Sequence, residues 1–144
     1  MRLFEAVYRH LRSQSTITEL VGSGSAARIY DVYAEQERAN NWPILVLEEV
    51  DDNRIHQFYG IPTATERTLR VTCLAQGSPK AANDLADLVY DALMGQEAAI
   101  TSNAGSLTVK AVHSESRETQ YEMDLEDNSK LFSCAVEFRF IHDV

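Results

Sequence analysis

The stretch Thr68-Leu69-Arg70-Val71-Thr72-Cys73-Leu74-Ala75-Gln76-Gly77-Ser78-Pro79, read with the residues up to Met94, decides the fold. Leu69, Val71, Cys73 and Ala75 alternate with Thr68, Arg70, Thr72 and Leu74. A period of two belongs to a β-strand, whose successive side chains point to opposite faces. Gly77 interrupts the pattern. Ser78 then offers the oxygen that a helix N-cap needs, and Pro79 takes the first helical position, where a missing N–H leaves no bond unmade. Beyond it Ala82, Leu85, Ala86, Leu88, Val89, Ala92 and Leu93 recur at helical spacing, with Asp84, Asp87 and Asp91 on the other side. A strand therefore runs directly into an amphipathic helix over 79–94, which Gly95 stops.

Downstream of that helix the pattern returns to β. Residues 107–113 read as one strand and 131–142 as a long one, with Phe132, Cys134, Val136, Phe138 and Phe140 on a single apolar face. The acidic stretch 114–129 between them reads as a long hairpin arm or a mobile loop. Upstream, Leu3, Phe4, Val7, Tyr8 and Leu11 mark a one-faced helix over 2–13. Thr16 and Glu19 have the spacing of a capping box for a second, short helix ending at Gly22. Residues 29–33 predict a short strand. The run Ile44-Leu45-Val46-Leu47 predicts one buried on both faces, near the middle of a sheet. Asp51-Asp52-Asn53 is a turn signal, with 54–59 returning as a hairpin arm and 60–66 as a loop. The order α-α-β-β-β-β-α-β-β predicts an α+β fold: a mixed, mostly antiparallel sheet with two main helices packed on one face. No Pro/Gly/Ser-rich linker divides residues 1–144, which are expected to form a single domain.

At 144 residues, the chain is long enough to bury about 68% of its unfolded surface, and so to hold one core without staples. Thirteen Lys and Arg stand against 22 Asp and Glu, a formal charge of −9. The ten arginines are scattered, so there is no basic patch of the kind that grips nucleic-acid phosphates. Cys73 and Cys134 both fall in predicted strands and read as small apolar core residues, with a cross-strand disulfide as the alternative. The N-terminal fourteen residues lack the apolar region of a signal peptide, and no run is long enough to span a bilayer. The expectation is a cytosolic product with no membrane partner.

The search for chemistry returns no catalytic, cofactor-binding or metal-binding constellation. His10, His56, His113 and His142 sit in four different elements without ligand spacing, and each reads as a surface or hairpin residue. Gly22-Ser23-Gly24-Ser25 follows a helix rather than a strand and carries no Lys, so it is a connection and not a phosphate loop. Glu48, Glu49, Asp51 and Asp52 could hold Mg²⁺ at a strand end, as in a small metal-dependent nuclease. The three lysines make no partner pattern for them, and a solvated acidic turn is the preferred reading. Glu115, Glu118, Glu122, Asp124, Glu126 and Asp127 crowd the second acidic segment, too many to bury unpaired. Trp42, beside Pro43 and ahead of the buried run, is either a core anchor or an exposed interface anchor.

The organisation as a whole resembles the tail completion, or tail terminator, family of long-tailed bacteriophages and gene-transfer agents. The residues that carry the resemblance are Ala27-Arg28-Ile29-Tyr30-Asp31, then Trp42-Pro43-Ile44-Leu45-Val46-Leu47, and the strand–Ser78-Pro79–helix join, closed by two terminal strands. The resemblance covers nearly the whole chain. It implies a structural virion protein with no enzymatic activity and no cofactor. It implies a ring, a homo-hexamer, that caps the tail tube at the head-proximal end and stops its polymerisation. Its implied partners are further copies of itself, the tail-tube protein and the head connector or stopper protein, and it would be made in the host cytoplasm. DNA would pass through the lumen without specific binding, which acidic walls favour by repelling phosphates. On this reading the ten acids from Glu48 to Asp127 are expected on the exposed or channel-facing surface of the ring. The alternative in the same class is another virion assembly part, a head–tail connector component or a tail-tube-like subunit.

Overall fold

The computed structural model describes residues 3–24, 27–31, 42–56, 62–103, 107–125 and 127–143, with the backbone alone at 51–56 and 62–63. Along these the chain runs α1 (Leu3–Arg12), α2 (Ser15–Val21), β1 (Ile29–Asp31), β2 (Ile44–His56), β3 (Pro62–Gln76), α3 (Pro79–Leu93), α4 (Glu97–Ser102), β4 (Val109–Asp124) and β5 (Lys130–His142). The strands form one sheet in the order β1-β2-β3-β5-β4. β1 lies parallel to β2, and every other pairing is antiparallel, so the sheet is mixed and the fold is α+β.

The alternation on β3 and β5 explains the layering. Leu69, Val71, Cys73 and Ala75 of β3, with Cys134, Val136, Phe138 and Phe140 of β5, all turn to one face. There they meet Leu3, Val7 and Leu11 of α1 and Leu85, Ala86 and Val89 of α3 in the main core. The helices thus cover one face of the sheet, as the patterning predicts. The Ser78 hydroxyl accepts from the Ala81 N–H at 3.3 Å, so the expected cap of α3 is made. The run at 44–47 is buried on both faces: Leu45 and Leu47 enter the main core, while Ile44 and Val46 join Leu74 and Leu131 in a small cluster on the opposite face.

Several expectations are corrected. Asp51-Asp52-Asn53 is not a turn, because β2 continues through it to His56. A bulge between Glu49 and Asp51 absorbs one residue, and the ladder to β3 then resumes with Asp51 opposite Thr68, Asp52 opposite Arg67 and Asn53 opposite Glu66. Cross-strand pairing along the full length outweighs the local turn preference of Asp and Asn. The loop expected over 60–66 is accordingly strand from Pro62 onward. Helix α2 begins at Ser15 behind Gln14, which makes no side-chain cap, so the Thr16–Glu19 capping box does not form. Helix α4, which the sequence reading does not predict, buries Ile100 against the main core. His10 is not a surface residue: it is buried and its Nε2 bonds the Ala92 carbonyl of α3 at 2.7 Å. His142 is buried as well. The remainder of the expected strand at 32–33, the spacer 34–41, residues 57–61 and Glu126 lie outside the described residues. Among the described residues no helix is long and apolar enough to cross a membrane.

Candidate functional site

Among the described residues no helix covers the other face of the sheet, and beyond the small cluster of Ile44, Val46, Leu74 and Leu131 its chemistry follows from the second half of each alternation. On β3 the outward positions hold Glu66, Arg70 and Thr72, and on β5 they hold Ser133, Ala135, Glu137 and Arg139. Arg70 is the hub. Its Nη1 donates to Glu48 Oε1 at 2.9 Å, while its Nε and Nη2 donate to Glu137 Oε1 at 3.1 and 2.7 Å. The hydrogen bond to Glu137, with the field of Glu48 and Glu118, raises the Arg70 pKa above the usual guanidinium value. Beside the hub, β4 adds Ser116, Glu118, Gln120 and Glu122, and together these residues border a shallow polar groove of about 280 Å³. Glu122 accepts from the Ser133 hydroxyl at 2.6 Å. Further along, Arg139 pairs with Glu115 at 2.8 Å and Glu66 at 3.6 Å.

The face therefore gathers Glu48, Glu66, Glu115, Glu118, Glu122 and Glu137 around Arg70 and Arg139. Both arginines are already committed to carboxylates, so the surplus is negative. The fold brings Glu48 and Glu118 within the field of one residue, Arg70, although seventy residues separate them in sequence, while Glu122 lies further along the groove with Glu118. Glu49 goes elsewhere: it pairs with Arg67 at 3.7 Å, one strand position out of phase with Glu48. Asp124 is exposed at the end of β4. Asp127 sits in the turn, where it accepts from the Ser129 hydroxyl and N–H and from Gln76 Nε2, and these bonds hold its carboxyl below the usual range. The side chains of Asp51 and Asp52, and all of Glu126, lie outside the described residues. Glu66, Glu137 and their arginines were not singled out from sequence. The available signal was their position on the polar half of two otherwise apolar strands.

Trp42 is half-buried, and its ring packs with Tyr30 and Leu125 over the small cluster of Ile44, Val46, Leu74 and Leu131. It also borders an apolar groove with Leu20, Pro43, Ala75 and Leu85. Among the described residues no group of three or more His, Cys, Asp or Glu is arranged to hold a metal ion.

The family model for tail completion protein gp17 matches residues 5–143, which is nearly the entire chain. This chain belongs to the tail completion protein gp17 family. Its membership gives it a structural role in the assembly of bacteriophage-type tails. Among solved structures, a chain from the virion of a native gene transfer agent particle is similar in fold, with a TM-score of 0.60 and 14% identity. That likeness covers 96% of this chain and 92% of the other. The gp17 protein of bacteriophage SPP1 is similar with a TM-score of 0.51 and 12% identity, covering 96% of this chain and 86% of that one. No curated protein matches the chain. At identities of 14% and 12% the likeness is one of fold.

Proposed function

We propose that this protein is the single-domain subunit of a homo-hexameric ring that caps the finished tail tube, stops its growth and joins it to the head connector. The observation that carries the reading is the tail completion family match over residues 5–143. The uncovered sheet face supports the second half of it. A ring at the junction of head and tail has to let a polyanion pass without holding it. A surface whose carboxylates outnumber its guanidiniums, with both guanidiniums already paired, repels phosphates rather than binding them. In this reading Glu48, Glu115, Glu118 and Glu122 face the channel, while Glu49, Asp51, Asp52, Asp124, Glu126 and Asp127 lie on ring-exposed surfaces. Trp42, beside its apolar groove, is the anchor for a neighbouring subunit or ring.

Such a part works by shape and valence, and needs neither a catalytic group nor a cofactor. It occupies the head-proximal end of the tail in the virion. Native mass spectrometry of the purified protein, alone and mixed with tail tubes, tests the ring directly. Six copies in a closed assembly are the expected result. Monomers in both samples would remove the ring and leave only a looser role in tail assembly.

A further inference from the structure

β4 is an edge strand, and its free side is unusually well prepared for pairing. Natural edges are blunted by shortness, proline, lysine or bulges. β4 is sixteen residues long and contains no proline, and its only lysine is Lys110 near the start. Every residue from His113 to Asp124 is exposed. Bulges fall at 109/111, 114/116 and 121/123, but Ser116 to Tyr121 pair in unbroken register with Glu137 to Phe132 of β5. That segment is also pinned from the helical side. Arg117 donates to Asp87 Oδ1 at 2.7 Å and to the Asn83 carbonyl at 2.8 Å, and the Thr119 hydroxyl donates to Asn83 Oδ1 at 3.1 Å. An edge already held straight loses little freedom when another strand joins it.

We infer that the free edge of β4 accepts an extended, basic strand of a different protein as a sixth strand of the sheet. The main chain supplies the ladder, and the side chains supply the choice of partner. Glu115, Glu118, Glu122 and Asp124 run along this edge. The one cation among them, Arg117, is turned to α3, and Glu115 is paired with Arg139, so lysines or arginines at alternate positions of the incoming strand meet chiefly Glu118 and Glu122. Tyr121 and Met123, 50% and 48% exposed, offer apolar contact at its far end. A second copy of this chain fits poorly. The opposite edge of the sheet is the three-residue β1, opposite Leu45–Leu47, and past it β2 brings Glu48, Glu49, Asp51 and Asp52. Two β4 strands would likewise set acid against acid, and like charges directly opposite are destabilising. The inference stands whether or not six copies close into a ring.

The experiment is amide hydrogen exchange by NMR on the full chain, with acetyl-(Lys-Val)₄-amide as the probe and acetyl-(Glu-Val)₄-amide as its control. The lysine peptide is expected to slow every second amide between Ser116 and Asp124 by roughly tenfold or more, with no effect from the glutamate peptide. The Glu118→Gln, Glu122→Gln double variant preserves shape and should keep the ladder while losing most of the peptide affinity. Three outcomes overturn the inference: no alternating protection on β4, equal protection by both peptides, or protection without peptide that rises with protein concentration. The last would make a second copy the occupant.

Discussion

Cys73 on β3 and Cys134 on β5 stand directly opposite one another at the middle of the sheet, both fully buried and both free thiols. Burial pushes the Cys73 thiol well above its ordinary value of 9.0, and the neighbouring Cys134 adds to the shift. The folded state keeps a proton that the unfolded chain releases. The contribution is therefore complete below the unfolded value and is lost as pH rises past it. Stability measured by urea unfolding should fall as pH climbs above about 9, and part of that slope should vanish in Cys73→Ala. An identical slope in the variant would show that other groups carry it. In the same range iodoacetamide should leave both thiols unlabelled in the folded protein and label both in urea.

Arg117 is the tie between the β4 arm and α3. Its pKa is raised first by the hydrogen bond to Asp87. The pair is partly exposed, at 34% and 62%, so solvent screens its charge and the pair contributes at most about 1 kcal/mol. Removing the bond to the Asn83 carbonyl as well should bring the cost of Arg117→Ala to about 1–2 kcal/mol. Asp87→Asn, which preserves the Asn83 contacts, should cost less than about 1 kcal/mol. The more telling readout is local. Amides between Ser114 and Asp124 should exchange faster in Arg117→Ala while those of β3 do not, and uniform acceleration would mean that the tie is global.

What was legible in the sequence is what periodicity encodes. The switch from alternation at Leu69–Ala75 to helical spacing at Ala82–Leu93 placed β3 and α3, and the Phe138 and Phe140 face placed β5. The errors lie where a local signal competes with a non-local one. Asp51-Asp52-Asn53 signals a turn to its neighbours, but thirteen residues of β2 are held by a ladder whose partners begin six or more positions away. His10 looks like the polar side of a surface helix until α3, some eighty residues later, brings the Ala92 carbonyl to it. The acidic face was legible only in halves. Glu48, Glu118 and Glu122 stood out as acids in acid-rich stretches, whereas Glu137 is a single acid within an apolar strand. No one-dimensional pattern says that Arg70 joins Glu48 to Glu137.

If the uncovered face borders the channel, reversing its charge should act on DNA passage. Glu118 and Glu122 are exposed and lie outside the main core, so Glu118→Lys with Glu122→Lys should leave the fold intact. Loss of the Glu122 bond to Ser133 should cost about 1 kcal/mol. Particles carrying the double variant that complete head–tail joining should eject DNA more slowly, since each lysine can hold a phosphate as it passes. Time-resolved ejection at two salt concentrations reads this, with the delay shrinking at high salt. Unchanged ejection kinetics would move the face out of the channel.

The strongest test of the proposed role is removal of the protein. A tail tube grows by adding identical rings, so each bare end is a template for the next one. A terminator has to complement that end with one surface and offer a tube ring nothing with the other. Without it the end stays open and the head finds no surface to dock on. Electron microscopy of lysates lacking this gene product should therefore show tubes longer than normal and unattached, beside heads filled with DNA. Replacing Trp42 by Ala should give a milder form of the same picture if the apolar groove that Trp42 shares with Leu20 and Leu85 is an assembly contact. Normal-length tails joined to full heads would end the terminator reading. Empty heads beside normal-length free tails would instead assign the protein to the head connector, because a missing connector lets packaged DNA escape and leaves tube length untouched.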